Sequence, residues 1–320
     1  IYFSVSSVAK YGYLANSDLP ATAGFSANGG TPAMVATRTY EPNRNLLAGL
    51  THRAGANLVA GFGYVNDSVG RRTQRNDAYL GASAVNTFAY DPRSEVINAV
   101  MGTNLFAYAF DNIGNRVSAS RNATTAVYSA NGLNQYLSVT SMSSVVHLTY
   151  DLDGNITDDG HFAYAWDAEN RLVAVENRNG VPAQDWWRVL FGYDYMGRRF
   201  SKKQFGWSTQ AGNWQASATK EIAFLYDGWN LIREDILERR VPAGGGQPAT
   251  PPGKGKGNPP PQGGPPSGGI QVVVSTNYYV WGLDISGSLQ GAGGIGGLVF
   301  ARLNTTNAWA TFDGNGNLMQ

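Results

Sequence analysis

Apolar and polar residues alternate over short stretches of this chain, and a turn signal repeatedly breaks the alternation. Val189-Leu190-Phe191-Gly192-Tyr193 reads as a strand, and Asn115–Arg121 and Arg171–Glu176 alternate with a period of two. That period sends successive side chains to opposite faces of a strand. No segment combines a convincing helical period with caps. Asn230–Arg240 has room for two helical turns, but its position directly after Tyr226-Asp227 favours a strand for its first half.

Between the strands one phrase recurs: an aromatic, an acid, two variable residues, then Gly or Asn. It reads Phe110-Asp111-Asn112-Ile113-Gly114, Tyr150-Asp151-Leu152-Asp153-Gly154, Trp166-Asp167-Ala168-Glu169-Asn170 and Tyr193-Asp194-Tyr195-Met196-Gly197. Tyr226-Asp227-Gly228-Trp229-Asn230 and Phe312-Asp313-Gly314-Asn315-Gly316 continue it, with looser copies at Tyr40-Glu41, Asn66-Asp67-Ser68-Val69-Gly70 and Tyr90-Asp91. Tyr128-Ser129-Ala130-Asn131-Gly132 reads as a further unit with Ser replacing the acid. A repeated unit dictates a repeat architecture. A spacing of about 20 residues suits two strands and two turns.

The phrase has a physical reading. Asp at the first position of a type I turn accepts bonds from backbone N–H groups, and Gly or Asn at the fourth tolerates positive φ. Such a turn joins hairpin strands through a bulge. The expected structural turn residues are Asp67 and Gly70, Asp111 and Gly114, Asp151 and Gly154, Asp167 and Asn170. Asp194 and Gly197, Asp227 and Asn230, and Asp313 and Gly316 complete the set. The aromatic often has an apolar partner two residues earlier, as in Tyr108/Phe110 and Phe191/Tyr193. Such pairs share a face, so stacked units predict cross-strand rows of rings.

Pro242–Gly269 is almost entirely Pro and Gly, which excludes a packed core there. Strand texture resumes at Ile270. The expected organisation is a repeat region over residues 1–241, an insertion over 242–269 in one hairpin, and a continuation over 270–320. A linker between two independent domains is the alternative, but the part after residue 269 is short for a self-sufficient domain. The chain starts at Ile1 rather than Met and stops inside what reads as a repeat, so a piece of a longer protein is expected.

With 24 basic and 23 acidic residues the net charge is +1, which leaves no electrostatic footprint for nucleic acid or an anionic membrane. The sequence contains no cysteine, so disulfides, cysteine nucleophiles and thiolate metal sites are excluded. No signal peptide is read at the start and no stretch suits a membrane helix.

The aromatic-acid phrases resemble the RHS/YD-repeat family. Tyr64-Val65-Asn66-Asp67-Ser68-Val69-Gly70-Arg71-Arg72 and Phe191-Gly192-Tyr193-Asp194-Tyr195-Met196-Gly197-Arg198-Arg199 match a longer form of its motif. Tyr279-Val280-Trp281-Gly282-Leu283-Asp284, followed by Gly291–Leu298, is similar to a phrase that precedes the last repeats of bacterial members. The resemblance implies an all-β fold, a coiled ribbon of β-hairpin YD repeats forming part of a hollow shell or barrel. It also implies a role: family shells enclose a C-terminal toxin or stand at a cell surface. No plug phrase of the Asp-Pro-x-Gly type is read, so autoproteolysis and toxicity are not carried over.

Other constellations read as architecture. Gly291-Ala292-Gly293-Gly294-Ile295-Gly296 satisfies G-x-G-x-x-G, but no crossover helix follows, and a glycine-rich bend is the expected form. Asp151, Asp153, Asp158 and Asp159 hint at calcium, but Gly falls at position 4 and Phe162 at position 12, which excludes an EF-hand loop. His52, His147 and His161 lack metal-ligand spacing, and no nucleophile elbow occurs. Arg71-Arg72, Arg198-Arg199 and Lys202-Lys203 are expected to be ladder partners for acids. Four N-x-S/T sites, at Asn66, Asn122, Asn155 and Asn304, carry little weight. The Trp zone of Trp186, Trp187, Trp207, Trp214 and Trp229 reads as inward stacking or, alternatively, a platform for glycans or a partner.

The expectation is a structural shell, secreted or at the cell surface, with no catalytic, cofactor-binding or metal residues. Its partners would be an enclosed polypeptide and neighbouring shell segments or copies. The alternative is a cell-surface module that binds carbohydrate or protein. An enzyme on a polysaccharide-processing β-fold is a third reading, supported by unpaired carboxylates alone.

Overall fold

A computed structural model describes residues 7–27, 30–79, 81–142, 144–177, 180–240 and 270–319. Thirteen strands form the first sheet in strict chain order. They are β1 (Ser7–Tyr13), β2 (Pro20–Ala27), β3 (Met34–Tyr40), β4 (Leu47–Ala54), β5 (Asn57–Asn66), β6 (Arg72–Tyr79) and β7 (Ala82–Tyr90). β8 (Val96–Met101), β9 (Asn104–Phe110), β10 (Arg116–Arg121), β11 (Thr124–Ala130), β12 (Tyr136–Ser141) and β13 (Ser144–His147) complete it.

The second sheet has twelve strands. It opens with β14 (Thr149–Tyr150), β15 (Ile156–Asp158), β16 (Ala163–Trp166), β17 (Leu172–Asn177) and β18 (Trp187–Tyr193). β19 (Arg199–Ser208) pairs both with the short β20 (Asn213–Trp214) and with β21 (Lys220–Asp227). β22 (Asn230–Arg240), β23 (Ile270–Trp281), β24 (Leu298–Leu303) and β25 (Thr306–Trp309) follow. Every pairing is antiparallel. Among the described residues the sole helical element is a single 3-10 turn, Ala183–Asp185. No helix among them is long and apolar enough to cross a membrane.

One strand links the sheets. β13 and β14 are separated by Leu148 alone, whose N–H donates to Leu137 O at 3.0 Å. The chain therefore passes from one sheet into the next without reversing. Because consecutive strands reverse, alternate connections fall on the same edge. The turns that begin at Glu41, Asp67, Asp91, Asp111, Asn131, Asp151, Asp167, Asp194, Asp227 and Asp313 all lie on one rim. The opposite rim carries two-residue turns such as the one inside the Met101–Asn104 pair, where Gly102 has φ +60°.

Asn230–Arg240 is strand throughout. Arg239 pairs with Gln271 and Arg240 with Ile270. The strands flanking the Pro/Gly stretch thus form one ladder, while residues 242–269 themselves lie outside the described residues.

The core sits where the chain's end meets its beginning. Ala23, Phe25, Met34, Ala36, Leu50, Ala60, Phe62 and Tyr64 of β2–β5 are buried with Val299 of β24, and Phe300 and Trp309 pack against them. Phe25 and Trp309 stack at 6.1 Å between centroids. Burial of these apolar side chains is the non-directional attraction that holds the ribbon closed.

Candidate functional site

The carboxylate-capped rim is the feature built most deliberately from the sequence. At six of the seven expected turns the geometry is the same. Oδ1 of Asp67 accepts from the N–H of Val69 and of Arg71, at 3.1 and 2.9 Å. Asp111 does so with Ile113 and Asn115, and Asp151 with Asp153 and Asn155. Asp167 accepts from Glu169 and Arg171, Asp194 from Met196 and Arg198, and Asp313 from Asn315 and Asn317. The fourth residue closes each turn by donating its N–H to the Asp carbonyl. It holds positive φ: Gly70 +93°, Gly114 +90°, Gly154 +87°, Asn170 +57°, Gly197 +76° and Gly316 +80°.

The seventh turn departs from this form. Asp227 and Asn230 pair directly across a two-residue turn, and positive φ moves to Gly228. Glycine at the first central position suits a two-residue hairpin. Asn230 is instead a buried strand residue, and the Asp227 carbonyl accepts from Gln290 Nε2 at 2.9 Å.

Three turn features escape the sequence reading. The unit near residue 130 is anchored by Asn131, whose Oδ1 accepts from Leu133 and Gln135, with Asn134 at φ +61°. Ser129 does not replace the acid; the frame lies two residues later. Asp284 begins another copy, with Gly287 donating to its carbonyl and standing at φ +76°. Its signal is Asp-x-x-Gly at 284–287, hidden because Leu283 stands where the phrase has an aromatic. The fifth residue of the turn is the third feature. Arg71, Arg171 and Arg198 donate from Nε to Oδ2 of their own Asp, and Asn115, Asn155 and Asn317 donate an amide to the same atom.

These partners set the carboxyl electrostatics. At Asp111 the Asn115 amide acts most strongly and holds the carboxyl below its ordinary value, against desolvation; the turn N–H groups add to it. At Asp67 and Asp194 desolvation pushes upward, but the paired arginine and turn N–H groups outweigh it. Hydrogen bonds to the charged form favour ionisation.

Successive turns are tied together by the aromatic of the repeat. Tyr90 OH donates to Arg72 O, Tyr150 OH to Tyr136 O, Tyr193 OH to Leu172 O and Tyr226 OH to Arg199 O, at 2.7–2.9 Å. Trp166 Nε1 does the same to Ile156 O at 2.7 Å. Each acceptor is the sixth residue of the preceding turn, where the ladder register shifts. The bulge leaves a carbonyl that the next aromatic's polar end satisfies. In return, arginines reach forward: Arg71 donates to Asp91 O at 3.1 Å and Arg93 to Asp111 O at 2.8 Å. Arg71, Arg171 and Arg198 lie over the rings of Tyr90, Tyr193 and Tyr226 at 5.0–5.4 Å. The expected rows of rings are therefore interleaved with guanidinium groups. Direct ring contacts occur elsewhere, as between Tyr128 and Tyr136.

The remaining candidates resolve into structure. Asp284 Oδ2 accepts from Ala292 N–H at 2.6 Å and Gly294 N–H at 3.2 Å, so the G-x-G-x-x-G segment winds around a buried carboxylate before strand β24. Asp159 caps Phe162 N–H and accepts from Tyr164 OH. No group of three or more His, Cys, Asp or Glu residues able to hold a metal occurs among the described residues. Trp207 packs edge to face on Trp186 and on Trp214. Lys203 pairs with Glu221 across strands at 2.9 Å.

This geometry defines an antiparallel β-ribbon protein whose repeating part is a capped turn tied to the bulge before it. It is an RHS/YD-repeat fold. No protein-family model matches the chain. Over 140 residues it is 30% identical to the tRNA nuclease WapA of Bacillus subtilis strain 168, spanning 42% of this chain and 5% of that protein. The tRNA3(Ser)-specific nuclease WapA of Bacillus spizizenii matches to the same extent. The chain thus spans about 5% of the length of these relatives. Among solved structures, the Photorhabdus luminescens Tc holotoxin pore aligns over 98% of this chain and 17% of the matched chain, at TM-score 0.41 and 12% identity. The TcdB2-TccC3-TEV crystal structure aligns over the same shares at TM-score 0.42 and 13% identity.

Proposed function

We propose that this chain is a wall segment of a YD-repeat shell, secreted or at the cell surface, that encloses a polypeptide and joins neighbouring shell segments. The observation that carries this reading is the sequential strand order within both sheets, with the repeat's carboxylate-capped turns on one rim. A ribbon of that kind grows sideways without limit and makes wall, not pocket. The residues singled out by the repeat are consumed in backbone bonds, which suits a structural role. We read the stretch from 1 to 241 and that from 270 to 320 as one wall, with 242–269 as an insertion between β22 and β23 in the sequence.

The chain is read as non-catalytic. The matched stretch is about 5% of each WapA relative, and we place their nuclease activity outside it. Incubation of the chain with tRNA is expected to leave the tRNA intact; cleavage that tracks with the purified chain would overturn that assignment. Negative-stain images of the full-length protein are expected to show a hollow particle. A solid particle would contradict the shell. Trp186, Trp207 and Trp214 pack ring against ring and Trp229 stands exposed apart from them, so no second reading is drawn from the tryptophans.

A further inference from the structure

The last turn of the rim is not a free corner; it is seated on the first sheet. Phe312 O lies 2.8 Å from His52 Nε2, and Gly314 N–H donates to Tyr64 OH at 2.6 Å. Arg72 Nη1 donates to Asn315 Oδ1 at 2.9 Å, and Arg75 Nη1 lies 3.6 Å from Asp313 Oδ2. Thr311 is fully buried and Asp313 is 4% exposed, whereas Asp67, Asp111, Asp151, Asp167 and Asp194 of the other expected turns are part-exposed. His52, Tyr64, Arg72 and Arg75 come from three consecutive strands, β4–β6.

We propose that β4–β6 form a receptor that reads one particular turn, and that residues 310–319 are a detachable clasp whose sequence it recognises. The selectivity is steric as well as polar. A Cβ on Gly314 would lie 2.7 Å from Leu47 Cδ2, 2.7 Å from the Tyr64 hydroxyl and 2.8 Å from its ring carbon. Tyr64 is buried and cannot yield. Glycine is required at the second turn position for this close approach, not for a positive φ. The corresponding residues elsewhere are Ser68, Asn112, Leu152, Ala168 and Tyr195, all with side chains. The Asn131 and Asp227 turns do have glycine there, Gly132 and Gly228, but Leu133 and Trp229 stand where Asn315 meets Arg72. The partner that fits is therefore the Phe312–Asn317 turn, here supplied by the chain itself.

The test uses the full chain and a fluorescein-labelled peptide of residues 310–319. The Gly314→Val chain, its clasp unseated, is expected to bind the peptide saturably. The unaltered chain is expected to bind at least about tenfold more weakly, because its own tethered clasp occupies the receptor at high effective concentration. A peptide of residues 130–139 should not bind. Absence of binding to a Gly314→Val chain with unchanged circular dichroism overturns the proposal, as does equal binding to both chains. Should Gly314→Val prevent folding, hydrogen exchange on the unaltered chain decides. Saturating peptide is expected to speed exchange at Gly314 and Met319 N–H while global protection stands. Exchange there that ignores the peptide overturns the receptor.

Discussion

Tyr193 shows what the aromatic of the repeat contributes. Its hydroxyl reaches Leu172 O at 2.8 Å and its ring lies under Arg171. Tyr193→Phe keeps the ring and orphans the bulge carbonyl. Denaturant unfolding is expected to show a loss of about 0.5–1.5 kcal/mol, the usual net value of such a bond. Tyr193→Ala is expected to cost more, about 1–3 kcal/mol, because packing is lost too. Equal stability of Tyr193→Phe and the unaltered chain would remove the hydroxyl from the account.

His52 and the depressed turn aspartates both contribute to the acid response. Burial lowers the His52 pKa, with the Phe312 carbonyl opposing and nearby Arg38 assisting. Tyr11, Arg38, Phe312 and Leu283 surround that site, so no carboxylate compensates a cationic ring there. A depressed histidine leaves the unfolded chain binding the proton first, so stability falls as pH drops below about 6.5. Asp67, Asp111, Asp151, Asp167 and Asp194 are also depressed by the hydrogen bonds to their charged form, and their contribution is lost below about pH 4. Two steps are expected in a stability-against-pH curve, and His52→Gln should abolish the upper one alone. Asp111→Asn should keep its turn, as Asn131 does naturally, while reducing the lower step by one carboxylate's share.

At the scale of the turn, the fourth position is governed by backbone conformation. Gly197 stands at φ +76°, and a Cβ added there would meet open space out to 4 Å, so any cost of a side chain is conformational. Gly197→Ala is expected to destabilise by about 1–2 kcal/mol. Gly197→Asn should cost less, since Asn170 and Asn134 occupy the same position. Matching losses for both would deny that φ is what the position selects. These turns are legible in the sequence because cap, conformation and strand period are all local signals. The Asn131 frame is harder to read because an amide oxygen accepts the two N–H groups that an acid accepts elsewhere. The Asp227 turn misleads because Gly228 takes positive φ and closes a two-residue hairpin, which Gly132 and Gly314 at the same position do not. The phenol-to-bulge tie leaves no local trace, for its partners lie 14–27 residues apart.

At the scale of the whole molecule the closing contact is illegible for the same reason, carried further. Tyr64 and Gly314 are 250 positions apart, and neither carries a mark of the other. His52 reads as an isolated histidine in the sequence; only the fold places Phe312 against it. Tied turns wind the ribbon until its last turn seats on its first sheet. The absence of native cysteine allows clean labelling for its most direct measurement. Spin labels at exposed Leu58 and Leu318, introduced as Leu58→Cys and Leu318→Cys, report the gap between β5 and the clasp by electron–electron resonance. One narrow, short-distance peak is expected. A broad distribution centred at long distance in the folded chain would contradict it.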